Sequence, residues 1–321
     1  MQPEGEGKIA ILIPVFNDWE AVSQLLSAID RAMPATGFDA EVVLIDDGST
    51  EPAPLDAKFL HLQGVEILRL RRNLGHQRAI AIGLVHAHQQ VACEAVVVMD
   101  GDGEDRPEDI GRLLECYRRE RKVVFAARKK RLESAVFQLF YHGYRLAHYV
   151  LTGIAVRVGN FSVVPRPALE RLMVVSELWN HYAAAVIRSR IPFATIPIDR
   201  GRRLAGRSKM NFVSLLVHGL SAISVFGDVV AARMLAVSAG AVGLALALIG
   251  VVVMVRLATD MAIPGWATFT TGLLLVALAQ ALTISFFLVF TIVGARANLH
   301  FLPLRDGPHF VRGVERIFRR A

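Results

Sequence analysis

The sequence is poor in cysteine and lacks several common nucleotide-binding motifs. Its two cysteines, Cys93 and Cys116, have neither the CxxC spacing nor the neighbouring histidines of a zinc site, so we expect no zinc centre and no disulfide framework. No GxGxxG follows an apolar run and no P-loop is present, which argues against a dinucleotide-dependent oxidoreductase and a P-loop NTPase. The aromatic residues are not interleaved with the basic ones, which counts against a nucleic-acid partner.

Charged residues are absent from two long stretches in the last third of the sequence. The stretches run from Met234 to Val255 and from Met261 to Ala295. At 1.5 Å per helical residue the first spans ~33 Å, enough to cross the hydrocarbon core of a bilayer, so we expect two transmembrane helices. Basic residues flank the pair, with Arg233 before it and Arg296, Arg305, Arg312, Arg316, Arg319 and Arg320 after it. This distribution predicts that both ends of the chain are cytoplasmic.

The start of the sequence and its charge balance fit the same picture. Residues 1 to 8 are polar and the apolar run from Ile9 to Val15 is short, so no secretory signal is expected. We therefore expect a multi-pass protein of the inner membrane whose soluble part lies in the cytosol. The net charge is +7, and basic residues crowd between positions 118 and 131. Such a cluster suits an anionic lipid bilayer surface or phosphate ligands.

Strand and helix patterns alternate over the first 130 residues. The predicted strands are Lys8 to Val15, Ala40 to Ile45, Val65 to Leu70 and Ala95 to Met99, and the predicted helices are Asp18 to Ala32 and Gly75 to Gln90. Strands separated by helices indicate an α/β fold with a mainly parallel sheet. Polar residues follow each strand, at the carboxyl ends where such sheets bind ligands.

The fourth predicted strand ends in a cluster of acids, VVVMDGDGEDRP, from Val96 to Pro107. Side chains alternate along an extended backbone, so Asp100 and Asp102 share one side and can converge on one ion. Hard oxygen ligands favour Mg²⁺ or Mn²⁺. An isolated pair of this kind is also typical of a solvated acidic turn. An EF-hand fits poorly, because its sixth position would be Asp105 and its twelfth Gly111.

Five sequence blocks occur in a characteristic order. They are IPVFND (Ile13 to Asp18), IDDGST (Ile45 to Thr50), RNLGHQRAIAIGL (Arg72 to Leu84), MDGDGEDRPED (Met99 to Asp109) and RLAGRSKM (Arg203 to Met210). Together they resemble the motif set of family 2 glycosyltransferases with a GT-A fold, which is Rossmann-like. The branch they resemble most is that of the polyprenyl-phosphate glycosyltransferases, typified by dolichyl-phosphate mannose synthase and its bacterial relatives with two transmembrane helices.

The resemblance implies a nucleotide-sugar donor, UDP-linked or GDP-linked, and a set of donor-site residues. That set is Pro14, Phe16, Asp18, Ile45, Asp47, Asp100, Gly101 and Asp102. Asp47 would hold the base or ribose, whereas Phe16 is also compatible with plain core packing. The implied metal ligands are Asp100, Asp102 and Glu104, and Glu104 stands where relatives often carry glutamine.

The acceptor side requires cations, because a lipid phosphate must approach a sugar diphosphate against like charge. By resemblance, Arg128 and Arg203 would bind the phosphate of a polyprenyl phosphate acceptor. Lys209 would neutralise charge on the leaving diphosphate, so Asp102, Arg203 and Lys209 are the catalytic candidates. Arginine offers phosphate a bidentate fork that lysine lacks. The implied reaction is an inverting displacement at the anomeric carbon.

One position departs from the resemblance. Where relatives with two spans often read GDFRL, this chain has Gly159, Asn160, Phe161, Ser162 and Val163. An amide cannot act as a base, which leaves three explanations: the acid was never a base, Asp105 or another group serves instead, or the activity is altered. A phosphate monoester is already anionic at neutral pH, so positioning and charge stabilisation would supply most of the rate.

The expected domain organisation has four parts. Residues 1–209 form a cytosolic GT-A domain, residues 210–233 a juxtamembrane amphipathic segment, residues 234–295 the transmembrane pair and residues 296–321 a cytoplasmic basic tail. Interfacial helices are expected at positions 137–151 and 211–230, with packing on the sheet as the alternative. Two other functions stay open: a polysaccharide or glycolipid synthase, and a nucleotide-sugar-binding membrane scaffold with altered catalysis. A homo-oligomer such as a tetramer also fits the resemblance.

Overall fold

The computed structural model describes residues 7–54, 58–128, 135–154, 158–206, 212–259, 265–297 and 301–320. Its contacts divide the chain into two compact units. The sheet unit comprises residues 1–138, 156–225 and 300–321, and the helical unit comprises residues 139–155 and 226–299.

The secondary structure of the described residues alternates over the first half of the chain and becomes helical later. The strands are β1 (Lys8–Val15), β2 (Asp39–Asp46), β3 (Gly64–Leu70), β4 (Ala95–Val98), β5 (Val123–Arg128), β6 (Ser162–Pro165), β7 (Phe193–Ile198) and β8 (Val311–Arg319). The α-helices are α1 (Trp19–Ala32), α2 (His76–Gln90), α3 (Glu108–Glu120), α4 (Ala135–Thr152), α5 (Arg166–Leu172), α6 (Tyr182–Arg188), α7 (Phe212–Ser224), α8 (Gly227–Ala258), α9 (Trp266–Ala297) and α10 (Pro303–Asp306). Short 3-10 helices cover Met33–Thr36, Ser176–Trp179 and Gly307–Phe310.

Within the described ranges, eight strands form one sheet in the order β7-β5-β6-β4-β1-β2-β3-β8. The pairs β4–β1, β1–β2, β2–β3 and β5–β7 are parallel, whereas β6 and β8 pair antiparallel to their neighbours. The sheet is therefore mixed and mainly parallel, as the alternation of strands and helices predicts. The central parallel strands β4, β1 and β2 all end at the same edge, which brings their terminal loops together.

Helices cover both faces of the sheet. Successive side chains of each strand point to opposite sides and so contribute to two separate buried clusters. On β1, residues Ile9, Ile11 and Ile13 pack with α1 and α3 in one buried cluster. Ala10 and Leu12 pack with α2, α5 and α6 in the other. Strands buried on both faces read as continuous apolar runs, which explains the β1 sequence KIAILIPV.

The C-terminal segment differs from the expected basic tail. Residues Val311–Arg319 form β8, an edge strand that pairs antiparallel with β3. Phe318 packs edge-on against Phe59 with ring centroids 5.4 Å apart, and Glu315 forms a 2.6 Å ion pair with Arg69. The many arginines of this segment hide its strand pattern in the sequence. Residues 301–320 thus belong to the sheet unit and not to a separate tail.

The helical unit contains two long apolar helices. By length and composition, Gly227–Ala258 and Trp266–Thr291 can each cross a membrane. Helix α8 begins at Gly227, so the boundary expected at position 233 falls inside a continuous helix. The two helices are joined by polar contacts, since Ser238 Oγ lies 2.8 Å from the Ala281 carbonyl and 2.7 Å from Ser285 Oγ.

Candidate functional site

The loops after β1, β2 and β4 bring acidic residues together at the carboxyl edge of the sheet. Asp18 follows β1, Asp46 ends β2 and Asp47 follows it, and Asp100 and Asp102 follow β4. These strands are parallel neighbours, so residues far apart in sequence meet in one place. Asp18 and Asp102 contact the same arginine.

That arginine is Arg203. Its Nη1 donates to Asp102 Oδ2 at 3.2 Å, its Nη2 donates to Asp18 Oδ2, and its Nε donates to the Ala205 carbonyl at 2.8 Å. The side chains of Arg203, Asp18 and Asp102 are 19%, 24% and 22% exposed, so solvent and ligands can reach them. One guanidinium thus neutralises two carboxylates at a place that remains accessible.

The loop that carries Arg203 is attached to the loop after β4 along their backbones. The amide of Leu204 donates to the Asp102 carbonyl at 2.9 Å, and the amide of Gly201 donates to the Glu104 carbonyl at 2.8 Å. Gly103 has φ of +83°, and a Cβ there would lie 2.4 Å from Leu204 Cγ. Both the conformation and the close approach therefore require glycine at position 103.

Glu104 is paired with Arg200, a residue that the sequence analysis missed. The Glu104 side chain is 18% exposed and the Arg200 side chain 27% exposed. The only signal in the sequence is the position of Arg200 three residues before Arg203. In this arrangement Glu104 has a protein cation as its partner.

Asp100 has different partners from Asp102. Its Oδ1 lies 3.1 Å from His76 Nε2 and accepts a 3.3 Å hydrogen bond from Asn160 Nδ2. Burial lowers the pKa of His76, but the charge and hydrogen bond of Asp100, together with the charges of Asp47 and Asp102, raise the pKa overall. Asp105 Oδ2 accepts from the Asp100 amide at 3.0 Å and the Asp105 side chain is completely buried, so Asp105 is unsuited to act as a base on an acceptor.

Asp47 holds the loop between β3 and α2. Its Oδ1 accepts from the Leu74 amide at 2.6 Å and its Oδ2 accepts from the Gly75 amide at 2.8 Å. The residue is 3% exposed. Burial raises the pKa of Asp47, and the two amide hydrogen bonds oppose that shift. The expected contact of Asp47 with a base or ribose stays a prediction, beside this role in fixing the loop.

The other expected donor-site residues fall into two groups. Phe16 is 41% exposed directly after β1, which disfavours plain core packing for its ring. Pro14 is buried within β1, and Gly101 is packed so that a Cβ would lie 3.2 Å from the Pro14 carbonyl oxygen. The side chain of Ile45 is completely buried and packs against Gly83 in the core, and its expected place at the donor site stays a prediction.

The side chains of two expected phosphate-binding residues lie outside the part of the chain that the structure describes. Arg128 is the last residue of β5, which places its backbone at a strand end. Lys209 lies outside the described residues. Their roles stay predictions.

Asp100 and Asp102 fit a divalent cation that the phosphates of a substrate would also coordinate. Within the described ranges, no group of three or more His, Cys, Asp or Glu side chains converges as a metal centre. The three expected ligands are divided among partners, with Asp100 beside His76, Asp102 beside Arg203 and Glu104 beside Arg200. Mg²⁺ is usually held by only one or two carboxylates together with substrate phosphates, and Asp100 and Asp102 are partly exposed hard-oxygen ligands.

Comparisons with known proteins agree with this architecture. The profile of "Glycosyl transferase family 2" matches residues 10–173. The chain is 28% identical over 250 residues to undecaprenyl-phosphate 4-deoxy-4-formamido-L-arabinose transferase of Edwardsiella ictaluri, covering 70% of this chain and 72% of that protein. It is 28% identical over 232 residues to bactoprenol glucosyl transferase of Shigella phage SfV, covering 68% and 73%.

A solved structure with a similar arrangement is glucosyl-3-phosphoglycerate synthase from Mycobacterium tuberculosis in complex with Mn²⁺, uridine diphosphate and phosphoglyceric acid. The identity is 14%, the TM-score is 0.49, and the match covers 70% of this chain and 78% of that one. The family profile covers more than half of this sequence and includes β1 to β4 with the acidic loop after β4. The chain belongs to glycosyl transferase family 2.

Proposed function

We propose that this protein transfers a sugar from a nucleotide-sugar donor to a polyprenyl phosphate at the cytoplasmic face of the inner membrane. The observation that carries the proposal is the contact of Asp18, Asp102 and Arg203 at the carboxyl edge of the sheet, in a chain that also carries two membrane-length apolar helices. The related enzymes named for undecaprenyl phosphate and bactoprenol support this choice of acceptor.

The donor diphosphate is expected to enter beside the acids after β4. Asp100 and Asp102 would hold Mg²⁺ or Mn²⁺ together with the diphosphate oxygens, and the metal would supply positive charge to the departing nucleoside diphosphate. Glu104 would act through its pair with Arg200, since that cation already compensates its charge. Phe16 and Asp18 lie at the end of β1, where a nucleoside can reach them.

Arg203 is the group that connects carboxylates and phosphate. In the described arrangement its guanidinium binds Asp18 and Asp102. A bound diphosphate would offer the same fork two further oxygens, so Arg203 can stabilise charge that develops on the leaving group. Lys209 and Arg128 are proposed to add positive charge for the leaving group and for the acceptor phosphate.

The reaction needs little help from a base. A phosphate monoester is anionic at neutral pH and can attack the anomeric carbon directly, with inversion of configuration and departure of the nucleoside diphosphate. Asn160 at the position where relatives carry an acid is consistent with this chemistry. Positioning of the two anions against repulsion is then the main task of the protein.

The connectivity supports a hairpin in the membrane. The chain leaves the sheet unit after residue 225 and returns to it at residue 300, and β8 pairs with β3. If α8 and α9 both cross the bilayer, the chain must return to the side on which the sheet lies. Nucleotide sugars are made in the cytosol, so we place that side in the cytoplasm, and the arginines that follow α9 favour the same orientation.

Purified full-length protein should be incubated with undecaprenyl phosphate, Mn²⁺ and a panel of radiolabelled UDP- and GDP-sugars. The proposal predicts label that moves into the organic phase with one of the donors. Label in a polymer would instead indicate a polysaccharide synthase, and donor binding without transfer would indicate a scaffold.

Asp102→Asn should abolish most of the transfer, because it removes a proposed metal ligand. The matched control is Glu108→Gln, which removes an exposed carboxylate at the start of α3 near the same loop. Equal activity of Asp102→Asn and the wild type would exclude the proposed metal site.

A further inference from the structure

We infer that Gln77 and Asn160 form an amide relay that orients Asp100 for metal binding. The amide relay is the series of hydrogen bonds from the Tyr182 backbone amide through the Gln77 and Asn160 side chains to the Asp100 carboxylate. Gln77 and Asn160 are thus positioning residues that act through Asp100. The role of Asp100 itself rests on the proposed function.

The backbone N–H of Tyr182 determines which end of each amide in the relay donates and which accepts. A backbone N–H only donates, and that of Tyr182 lies 2.7 Å from the Gln77 side chain, so the atom it meets must be Oε1. Gln77 Nε2 then points to Asn160, 3.2 Å away, and must meet Oδ1. The Asn160 Nδ2 group is left facing Asp100 Oδ1 at 3.3 Å.

His76 takes part without reversing this direction. Its Nε2 lies 2.9 Å from Asn160 Nδ2 and 3.1 Å from Asp100 Oδ1. Without a proton, His76 Nε2 can accept a hydrogen bond from Asn160 Nδ2. With a proton, it can donate to Asp100 Oδ1. Asn160 Nδ2 carries two hydrogens, so it can donate to Asp100 in either state of the imidazole.

Buried side chains pack and hydrogen-bond next to the relay. Tyr182 and Ser162 are completely buried and Gln77 is 8% exposed. The hydroxyl of Ser162 lies 2.7 Å from Tyr182 Oη and donates to the Asn160 carbonyl at 2.8 Å. These bonds connect the Asn160 backbone to the start of α6.

In this arrangement Asn160 positions Asp100 and need not act as a base. Groups that hydrogen-bond to a metal-binding side chain fix its orientation, and their loss typically costs 10–100-fold in metal affinity or activity. An amide at position 160 donates to Asp100, whereas a carboxylate would place a like charge beside it.

The test measures Mn²⁺ binding to the full-length protein with UDP, from the loss of the free Mn²⁺ signal in electron paramagnetic resonance. Gln77→Glu keeps the acceptor for Tyr182 but removes the donor to Asn160, so the Asn160 amide should turn its oxygen toward Asp100. Asn160→Leu removes the donor at similar size and at a less buried position. Each variant should weaken Mn²⁺ binding about 10–100-fold. The matched control, Gln90→Glu at the exposed end of α2, should bind as the wild type does.

A role in folding alone would lower Tm and leave the Mn²⁺ affinity of the folded protein unchanged. Equal Mn²⁺ affinity of the wild type, Gln77→Glu and Asn160→Leu would overturn the relay and leave the proposed function intact. If the wild type binds UDP but does not reduce the free Mn²⁺ signal, the proposed metal site is overturned, and the relay with it.

Discussion

Replacing Asp47 by asparagine tests how the loop before α2 is held against the carboxyl end of β2. The carboxylate accepts two short backbone hydrogen bonds, from Leu74 at 2.6 Å and from Gly75 at 2.8 Å. Gly48 beside it allows a close approach, since a Cβ there would lie 2.7 Å from the Asn73 amide nitrogen. The loop and the strand end are therefore in tight contact around one buried acid.

The expected magnitude follows from these contacts. Asparagine has the same size but only one oxygen, so one backbone N–H loses its acceptor and faces the new NH₂ group. An unpaired buried donor costs about 1–3 kcal/mol. In a domain of this size 1 kcal/mol corresponds to roughly 2–4 °C in Tm, so a loss near 2 kcal/mol lowers Tm by about 4–8 °C.

The measurement is thermal unfolding of the full-length protein in detergent, at neutral pH. The control is Asp39→Asn at the other end of β2, where the exposed carboxylate accepts from Gln63 Nε2 at 2.9 Å. A surface change of this kind should shift stability by less than about 0.5 kcal/mol. An equal Tm for Asp47→Asn and Asp39→Asn would refute the loop-holding role of Asp47.

Three further predictions concern other contacts. Burial raises the pKa of Asp30, but three backbone amides at 2.8–3.0 Å hold it below its ordinary value of 3.8. The stability advantage of the wild type over Asp30→Asn is thus present above pH 3.8 and should disappear as pH falls through the lowered pKa; a constant difference in Tm would contradict this. Gly103→Ala should cost about 1–3 kcal/mol in thermal unfolding because of the positive φ and the contact with Leu204, whereas Gly111→Ala, where the nearest atom lies at 3.8 Å, should cost nothing. Arg203→Lys keeps the charge but loses the fork and should raise the KM for the donor about tenfold, the equivalent of about 1.4 kcal/mol, and an unchanged KM would contradict the proposed phosphate contact.

The local pattern of the sequence predicts much of the sheet unit. Strand β1 has the predicted bounds, and α2 begins one residue after the predicted start. A buried strand is a continuous apolar run and an amphipathic helix has apolar residues at helical spacing, so the positions of both can be predicted without tertiary information. The membrane-length helices are equally visible, because the absence of charge over more than 20 residues is a property of composition alone.

The parts that the sequence did not predict depend on contacts between distant residues. The pair of Glu104 with Arg200, and that of Gln77 with Asn160, join residues 96 and 83 positions apart. No local pattern specifies such partners, since they follow from the order of strands in the sheet. Ile45 was expected at the donor site from its place in a motif, and its side chain packs against Gly83 in the buried cluster on one face of the sheet.

The C-terminal strand was missed for a related reason. An edge strand needs apolar residues on one side only, and charged residues on its exposed side are typical of edges. The exposed arginines of Val311–Arg319 made the segment look like a basic tail. Its pairing with β3 depends on a partner more than 240 residues earlier.

The central claim is tested most directly by the stoichiometry of the reaction. The nucleoside diphosphate released and the sugar recovered in the organic phase should be measured together, with undecaprenyl phosphate and Mn²⁺ present. A transfer reaction predicts equal amounts of the two products, and neither without the lipid phosphate. Release of nucleoside diphosphate with no lipid-linked sugar would contradict transfer to a polyprenyl phosphate.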